Sequence, residues 1–433
     1  MPEIPESEAP VATKVCATPP GRSNALVLAG GGALGAYEAG VLLYALDGLE
    51  RDTGVRPHFE IFAGTSAGAL NVSFLAAMAE DLSAGARRLA AFWEGLSIGK
   101  MLRFGRHELA TMLRLVLGPG PARIRVRRGK RPLKRAPHPP VAGLFDTTLL
   151  HEQMRELIPW DGLQRNLEAG QVRGVALCAT EVCTGTSIVF YQTAPGAEFR
   201  LGRDPNKEPL AVRIGVEHAM ASAAIPFLFP AVQIKGVCYT DGALRQNTPL
   251  NPALRMGADR VLVVSLTQKP GQAKHSARLG CRLNPFPGAL FMLGKTAMVF
   301  MSQSLDYELS RVEMYNRLIR GGCEEYGPEF LDRLNRILSS HRNASYRPVR
   351  TCHIRPSVSL NALALEALKR APGELRLPGA AGRLVSAVLA SESVAESELL
   401  GYLMFAPTYT RMLIDLGRAD ARRQREELAA FFS

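Results

Sequence analysis

The stretch that decides the fold runs from Phe59 to Met78 and reads FEIFAGTSAGALNVSFLAAM. Its first five residues predict a short buried strand, and the residues from Ala69 onward predict a buried helix. Gly64-Thr65-Ser66-Ala67-Gly68 lies between them, and Gly-x-Ser-x-Gly between a strand and a helix is the setting of a nucleophile elbow. A side chain at Gly64 or Gly68 would clash in so sharp a turn. The pattern predicts Ser66 as a nucleophile, although a turn of small residues without chemistry has the same local sequence.

A second glycine-rich turn lies upstream, where GGGALG from Gly30 to Gly35 follows the apolar run Ala25–Ala29. A glycine loop between a strand and a helix can hold an anion, because its N–H groups are accessible. The spacing Gly30-x-Gly32-x-x-Gly35 also fits a dinucleotide fingerprint, which expects an acid about 20 residues on, after a second strand. Glu50 and Asp52 lie near that distance but end a predicted helix. This favours an oxyanion hole over a nucleotide site.

A serine nucleophile needs a proton acceptor, and the chain offers an aspartate and several histidines. The strand-like run from Val232 to Thr240 leads into Asp241-Gly242-Ala243, which predicts a carboxylate at the end of a strand. A Ser–His–Asp enzyme would instead place its histidine downstream of the elbow. Three histidines follow Asp241, namely His275, His341 and His353, and His218 precedes it among small residues; none of these four has a supporting local pattern. Asp241 is the better placed candidate, although taken alone it could simply begin a turn.

Taken together, the three motifs resemble the patatin-like phospholipase family in order and spacing. The segment ASAAIPFLFP, from Ala221 to Pro230, also resembles that family, and the likeness covers roughly residues 25–266. The resemblance implies an α/β protein with a three-layer α/β/α fold and a mainly parallel sheet. It also implies a serine acyl-ester hydrolase of the phospholipase A or lysophospholipase type, which cleaves fatty acyl esters of membrane lipids through an acyl-enzyme.

The resemblance implies a role for each motif residue. Ser66 would be the nucleophile and Asp241 the general base of a Ser–Asp dyad without a catalytic histidine. The remaining positions are the oxyanion-hole residues Gly30, Gly31, Gly32 and Gly35 and the motif residues Gly64, Gly68, Gly242 and Ala243. Family members often carry Arg or Lys where this chain has Leu34. The leucine removes a positive charge near the site, so the family's headgroup preference and reaction rate do not carry over to this chain directly. Neither a metal nor a cofactor is expected.

Other functions remain open from the sequence. One is transacylation or hydrolysis of neutral acylglycerols. Another is a catalytically idle lipid-binding protein, which the uncharged Leu34 keeps in consideration. A third is a nucleotide-binding protein built on the glycine loop.

Charge points to an anionic partner. The net charge is +12, and residues 118–140 concentrate eight basic residues, from Arg123 to Arg135, in a Pro/Gly-rich segment without an acid. Such a loop is either a solvated insertion or a docking site for anionic lipid headgroups, to which each basic residue contributes about 1 kcal/mol. No aromatic side chain is interleaved for stacking on bases, so a nucleic-acid partner is not expected.

Composition along the chain predicts three parts. Residues 1–23 lack the basic and apolar regions of a secretory signal and predict a disordered tail. Residues 24–268 predict the catalytic domain, and residues 269–433 predict a mostly helical extension with one possible strand at Cys352–Arg355. The seven scattered cysteines predict neither a disulfide framework nor a zinc site. No run reaches the roughly 20 apolar residues of a membrane span, so we expect a cytoplasmic protein with peripheral membrane contact.

Overall fold

The computed structural model describes residues 23–101, 143, 145–199, 206–226, 228–268, 305–342, 346–375 and 399–433. The basic segment 118–140 and nearly all of the predicted tail lie outside these residues. Within the described ranges, no helix has both the length and the apolar character that crossing a membrane requires.

A single sheet organises the described residues. Its nine strands are β1 Asn24–Leu28, β2 Ile61–Thr65, β3 Gly174–Glu181, β4 Ser187–Thr193, β5 Lys207–Ala211, β6 Val232–Ile234, β7 Val237–Asp241, β8 Arg260–Val264 and β9 Arg350–Ile354. Strands β3, β2, β1, β8 and β9 lie side by side in that order, all parallel. Strand β4 pairs antiparallel with β3 and parallel with β5. Strand β7 pairs antiparallel with the end of β3 and with β6.

Helices connect and cover the strands. In the described ranges they are α1 Gly35–Leu43, α2 Leu49–Thr53, α3 Ala67–Ala77, α4 Leu82–Gly95, α5 Ile98–Met101, α6 Thr148–Leu157, α7 Trp160–Glu168, α8 Val216–Ser222, α9 Leu250–Arg255, α10 Leu305–Tyr326, α11 Phe330–Arg342, α12 Leu360–Arg370, α13 Leu399–Leu403, α14 Pro407–Arg423 and α15 Arg425–Phe432. A π-helical turn joins α1 to α2, and a 3₁₀ turn over Gly32–Leu34 precedes α1.

The two faces of the sheet bury separate cores. In β1, Leu26 and Leu28 belong to one core, and Ala25 and Val27 belong to the other. Successive side chains of a strand point to opposite faces, and both faces are covered here, as a parallel sheet requires. The three-layer α/β/α fold with a mainly parallel sheet is confirmed.

Residues beyond 268 join this fold directly. Strand β9 extends the sheet beside β8 and confirms the possible strand at Cys352–Arg355, two residues earlier than its predicted start. Helix α14 packs against α1, where the buried Tyr37 hydroxyl donates a hydrogen bond to Asp420 Oδ2 at 3.1 Å. The C-terminal part therefore shares both the sheet and the core with the residues around the motifs.

Candidate active site

The three motifs meet at one edge of the sheet. Strands β1 and β2 are parallel neighbours with Leu28 opposite Gly64, so the glycine loop and Ser66 leave the same carboxyl edge. Ligand sites of open α/β sheets lie outside that edge. Asp241 ends β7 and pairs with Ala179, near the carboxyl end of β3 beside β2. Pairing of the strands thus brings together residues that are up to 211 positions apart, counted from Gly30 to Asp241.

Ser66 occupies a strained turn between β2 and α3. Its φ of 54° lies in the left-handed region, which costs a residue other than glycine about 1–3 kcal/mol. A Cβ on Gly64 would lie 2.4 Å from the Gly68 carbonyl oxygen, and one on Gly68 would lie 2.6 Å from that of Leu28. The backbone therefore passes too close for side chains at either glycine, as the elbow motif predicts.

The backbone of the elbow is held by Ser222, at the end of α8. The Ser66 N–H donates to Ser222 Oγ at 3.0 Å, and the Ser222 hydroxyl donates to the Cys178 carbonyl at 2.5 Å. Ser222 thereby ties the strained residue to strand β3. Both serines are buried, so these bonds form away from solvent.

Ser66 and Asp241 are directly hydrogen-bonded. Ser66 Oγ donates to Asp241 Oδ2 at 2.6 Å, and Asp241 Oδ1 accepts the Ala243 N–H at 2.8 Å. The backbone of Asp241 is anchored as well, because its N–H donates to Ala224 and its carbonyl accepts from Thr180 Oγ1. The carboxylate therefore has one oxygen fixed on the serine hydroxyl.

The surroundings make this carboxylate a stronger base. Asp241 has no exposed surface, and burial raises its pKa from 3.8 to about 7 against the opposing effect of its bonds with Ser66 and Ala243. A group with a pKa near neutrality can take up a proton and return it at physiological pH. Burial thus supplies the basicity that an aspartate in water lacks.

The glycine loop is packed tightly against later parts of the chain. The Gly30 N–H donates to the Asn247 carbonyl at 3.0 Å. A Cβ on Gly32, whose φ is +55°, would lie 2.4 Å from the Tyr402 carbonyl oxygen. Leu34 is buried, and a Cβ on Gly401 would lie 3.5 Å from its Cδ2. The first N–H groups of a 3₁₀ turn have no partners within the turn, so this loop can present donors beside Ser66.

The other predicted candidates for base or cofactor ligand have different partners. His353 bonds with Ser265 and Arg355, and burial lowers its pKa to about 4. His218 Nδ1 accepts the Gly215 N–H, His341 lies in α11, and His275 lies outside the described residues. Asp52 is in helix α2, where it accepts a hydrogen bond from Tyr44. In the described part of the chain, no group of three or more His, Cys, Asp or Glu could hold a metal ion.

Comparison with known families agrees with this geometry. The family model described as patatin-like phospholipase matches residues 26–254, more than half of the chain. The chain belongs to the patatin-like phospholipase family. Membership indicates lipid acyl hydrolase activity.

Solved structures that resemble this patatin-like chain do so only distantly. VipD from Legionella pneumophila is 13% identical with a TM-score of 0.28, and the match covers 92% of this chain and 67% of that one. The human GIVD cytosolic phospholipase A2, in complex with methyl gamma-linolenyl fluorophosphonate, is 15% identical with a TM-score of 0.30. That match covers 94% of this chain and 60% of the human one. The comparison with curated proteins found no match.

An apolar pocket lies beside Ser66 in this patatin-like domain. Helices α3, α4 and α6 form most of its wall, and Gly32, Ile225 and Phe405 also line it. Its free volume is about 30 Å³, so it is a narrow channel. A substrate held at Ser66 could place an apolar chain there.

A buried polar network beside the channel was not expected from the sequence. Asn71 Nδ2 donates to Glu38 Oε2 at 2.9 Å and to the Gly35 carbonyl at 3.2 Å. Trp93 Nε1 donates to Asn71 Oδ1 at 2.9 Å. Burial raises the pKa of Glu38 well above its ordinary value, which favours the neutral acid. The one signal in the sequence was an acid within the otherwise apolar run that follows the glycine loop.

Proposed function

We propose that this patatin-like protein is a serine acyl-ester hydrolase of the phospholipase A or lysophospholipase type, with Ser66 as nucleophile and Asp241 as general base. The observation that carries the proposal is the 2.6 Å hydrogen bond from Ser66 Oγ to a fully buried carboxylate. The apolar channel beside that hydroxyl supports a fatty acyl group as the part of the substrate that is recognised.

The reaction begins when Ser66 Oγ attacks the ester carbonyl carbon and Asp241 Oδ2 takes up the hydroxyl proton. The carbonyl oxygen becomes an oxyanion, which the amides around Gly31 and Gly32 stabilise within the loop from Gly30 to Gly35. Removal of one such donor costs about 100- to 1,000-fold in rate in other acyl-transfer enzymes. The C–O bond to the leaving alcohol then breaks, Asp241 returns the proton to that alcohol, and an acyl-enzyme ester remains on Ser66.

Water completes the cycle on the same dyad. Asp241 takes a proton from the water as its oxygen attacks the acyl carbon. The bond between that carbon and Ser66 Oγ then breaks, and the proton passes to the serine as the fatty acid leaves. An alcohol in place of water would give a new ester, so transacylase and acylglycerol lipase activities are the alternatives on the same machinery.

Membrane contact is a separate part of the proposal. The net charge of +12 and the basic segment 118–140 support docking to an anionic cytoplasmic membrane surface. Replacing the basic residues from Arg123 to Arg135 by Gln should weaken sedimentation with vesicles that contain phosphatidylserine. Sedimentation equal to that of the unmodified chain would show that the segment is a solvated insertion.

Labelling with a fluorophosphonate probe tests the nucleophile, because such probes react with activated serines. We expect an adduct on Ser66, located by peptide mass, that disappears in Ser66→Ala and Asp241→Ala. Ser73→Ala is the matched control, since Ser73 lies in α3, the helix that follows Ser66, and donates only to the Ala69 carbonyl. Full labelling of Ser66→Ala would refute the assignment. Hydrolysis of a lysophospholipid, with and without added glycerol, then separates hydrolase from transacylase by the products formed.

A further inference from the structure

The channel beside Ser66 is built from one face of each of three helices. Helix α3 contributes Ala67, Leu70, Asn71 and Phe74, and α4 contributes Leu89 and Phe92 together with Trp93, with Leu96 just beyond its end. Helix α6 contributes Leu150, Met154 and Leu157, followed by Ile158. The spacing of three or four residues within each set places its members on one side of the helix. The channel therefore runs along the helices.

The length of the channel follows from α3. From Ala67 beside the nucleophile to Phe74 the helix rises seven residues, or roughly 10 Å. An extended peptide advances about 3.5 Å for every three backbone bonds. By the same geometry an extended hydrocarbon chain covers roughly 10 Å in eight or nine bonds. The free volume of about 30 Å³ is room for roughly two water molecules, so a single unbranched chain of about that length enters only as the side chains along the channel move aside.

A larger cavity lies on the outer side of the same helices. This groove, between α4 and α6, has a volume of about 470 Å³, and Arg88, Ala91 and Gln153 are among the residues that line it. The Arg88 guanidinium lies over the Phe74 ring, 5.8 Å from its centroid. Because Phe74 is the last α3 residue of the channel, the groove adjoins the far end of that channel.

Three side chains are common to both cavities: Phe92, Leu96 and Leu157. They form the partition between the channel and the groove. Leu96 is buried, whereas Phe92 and Leu157 are partly exposed. Phe92 is also the bulkiest of the three, so its ring is the part of the partition whose removal opens the widest passage.

We propose that this partition, and Phe92 above all, sets the acyl-chain length that the active site accepts. Chains of about eight carbons reach the end of the channel at Phe74. Longer chains must displace the Phe92 ring, and their ends then lie in the groove between α4 and α6. The substrate class favoured by the intact chain is thus an ester or lysolipid with a short to medium unbranched acyl group. This inference rests on the proposed function, since it places the reacting ester at Ser66.

Chain-length profiles of p-nitrophenyl esters from four to sixteen carbons test it. For the unmodified chain, kcat/KM should peak near eight carbons and fall toward sixteen. Phe92→Ala should raise the ratio of kcat/KM for sixteen carbons over eight by about tenfold or more, equivalent to ~1.4 kcal/mol and to the burial of about two methylenes. Phe92→Leu, which retains an apolar side chain, should shift the ratio in the same direction and serves if the alanine variant does not fold.

Two further variants separate a passage from a general change in packing. Ala91 lines the groove but not the channel, so adding Ala91→Phe to Phe92→Ala should block the passage again and cancel the gain for long chains. Glu94→Ala, at an exposed position on the same helix, should leave the profile unchanged. A profile that Phe92→Ala does not alter, with hydrolysis still dependent on Ser66, would overturn the partition alone. Hydrolysis that survives Ser66→Ala would overturn the proposed function itself.

Discussion

Replacing Asp241 by Asn should abolish activity and yet make the protein more stable at alkaline pH. The amide has nearly the same shape as the carboxylate but cannot take the proton from Ser66. General bases typically contribute 100- to 10,000-fold, so kcat should fall by at least about 100-fold. The same substitution removes a charge from a site with no solvent exposure, and that charge is costly for the folded state.

The size of the stability gain follows from the pKa of Asp241. Each tenfold change in proton affinity is worth ~1.4 kcal/mol, so the rise from 3.8 to about 7 corresponds to roughly 4 kcal/mol. The folded state holds its proton to higher pH than the unfolded state, so the native protein loses stability as pH rises from about 4 to about 7. Roughly 3 kcal/mol of that loss falls between pH 5 and pH 8.

Urea unfolding of both proteins at pH 5 and pH 8 isolates this effect. Other buried acids, such as Glu38, are present in both proteins, so their contributions cancel when the pH dependence of one protein is subtracted from that of the other. We expect the unmodified chain to lose roughly 3 kcal/mol more than Asp241→Asn between the two conditions. Equal losses in the two proteins would refute the argument that burial raises the pKa of Asp241.

Three further substitutions test the surroundings of the dyad. Ser222→Ala leaves the buried Ser66 N–H without its acceptor, which should cost about 1–3 kcal/mol in urea unfolding and lower kcat; an unchanged kcat would show that Ser222 does not position the nucleophile. Gly68→Ala places a Cβ 2.6 Å from the Leu28 carbonyl oxygen and should cost about 1–3 kcal/mol, whereas Gly95→Ala, whose Cβ meets nothing within 4 Å, is the control. Asp420→Ala removes the acceptor shared by the Tyr37 hydroxyl and the Ser357 N–H, so thermal unfolding should show a lower Tm than for the exposed Asp415→Ala; equal values would indicate that this contact contributes nothing.

The parts of this protein that could be predicted from its sequence are those with a local physical cause. The backbone passes so close at positions 64 and 68 that both must be glycine. The apolar residues before Gly64 predict a buried strand. The elbow can therefore be recognised from this one short stretch of sequence. The order of the motifs supplied the family and, through it, the three-layer fold. The assignment of roles to Ser66 and Asp241 stays a prediction, although the structure places the two side chains in contact.

The unpredicted features depend on strand order and on residues distant in sequence. Strand β5, KEPLA, carries two charged residues and Pro209, which suit an edge strand but not a recognisable apolar run. Ser222 lies in the segment from Ala221 to Pro230, but nothing in the local sequence relates it to the amide of Ser66. The channel was hidden for the same reason, since the stripes that line it have the spacing of ordinary core helices.

The packing of Tyr402 against Gly32 implies an order of events during synthesis. A growing chain carries the elbow and the aspartate long before residues 399–423, which cover the glycine loop and pack on α1, have been made. Synthesis at about 5–20 residues per second separates Asp241 from Arg423 by roughly 10–40 s. During that interval the nascent chain holds every motif of a lipase without the completed loop. For a hydrolase of the proposed kind, the glycine loop is completed only after residues 399–423 have been made.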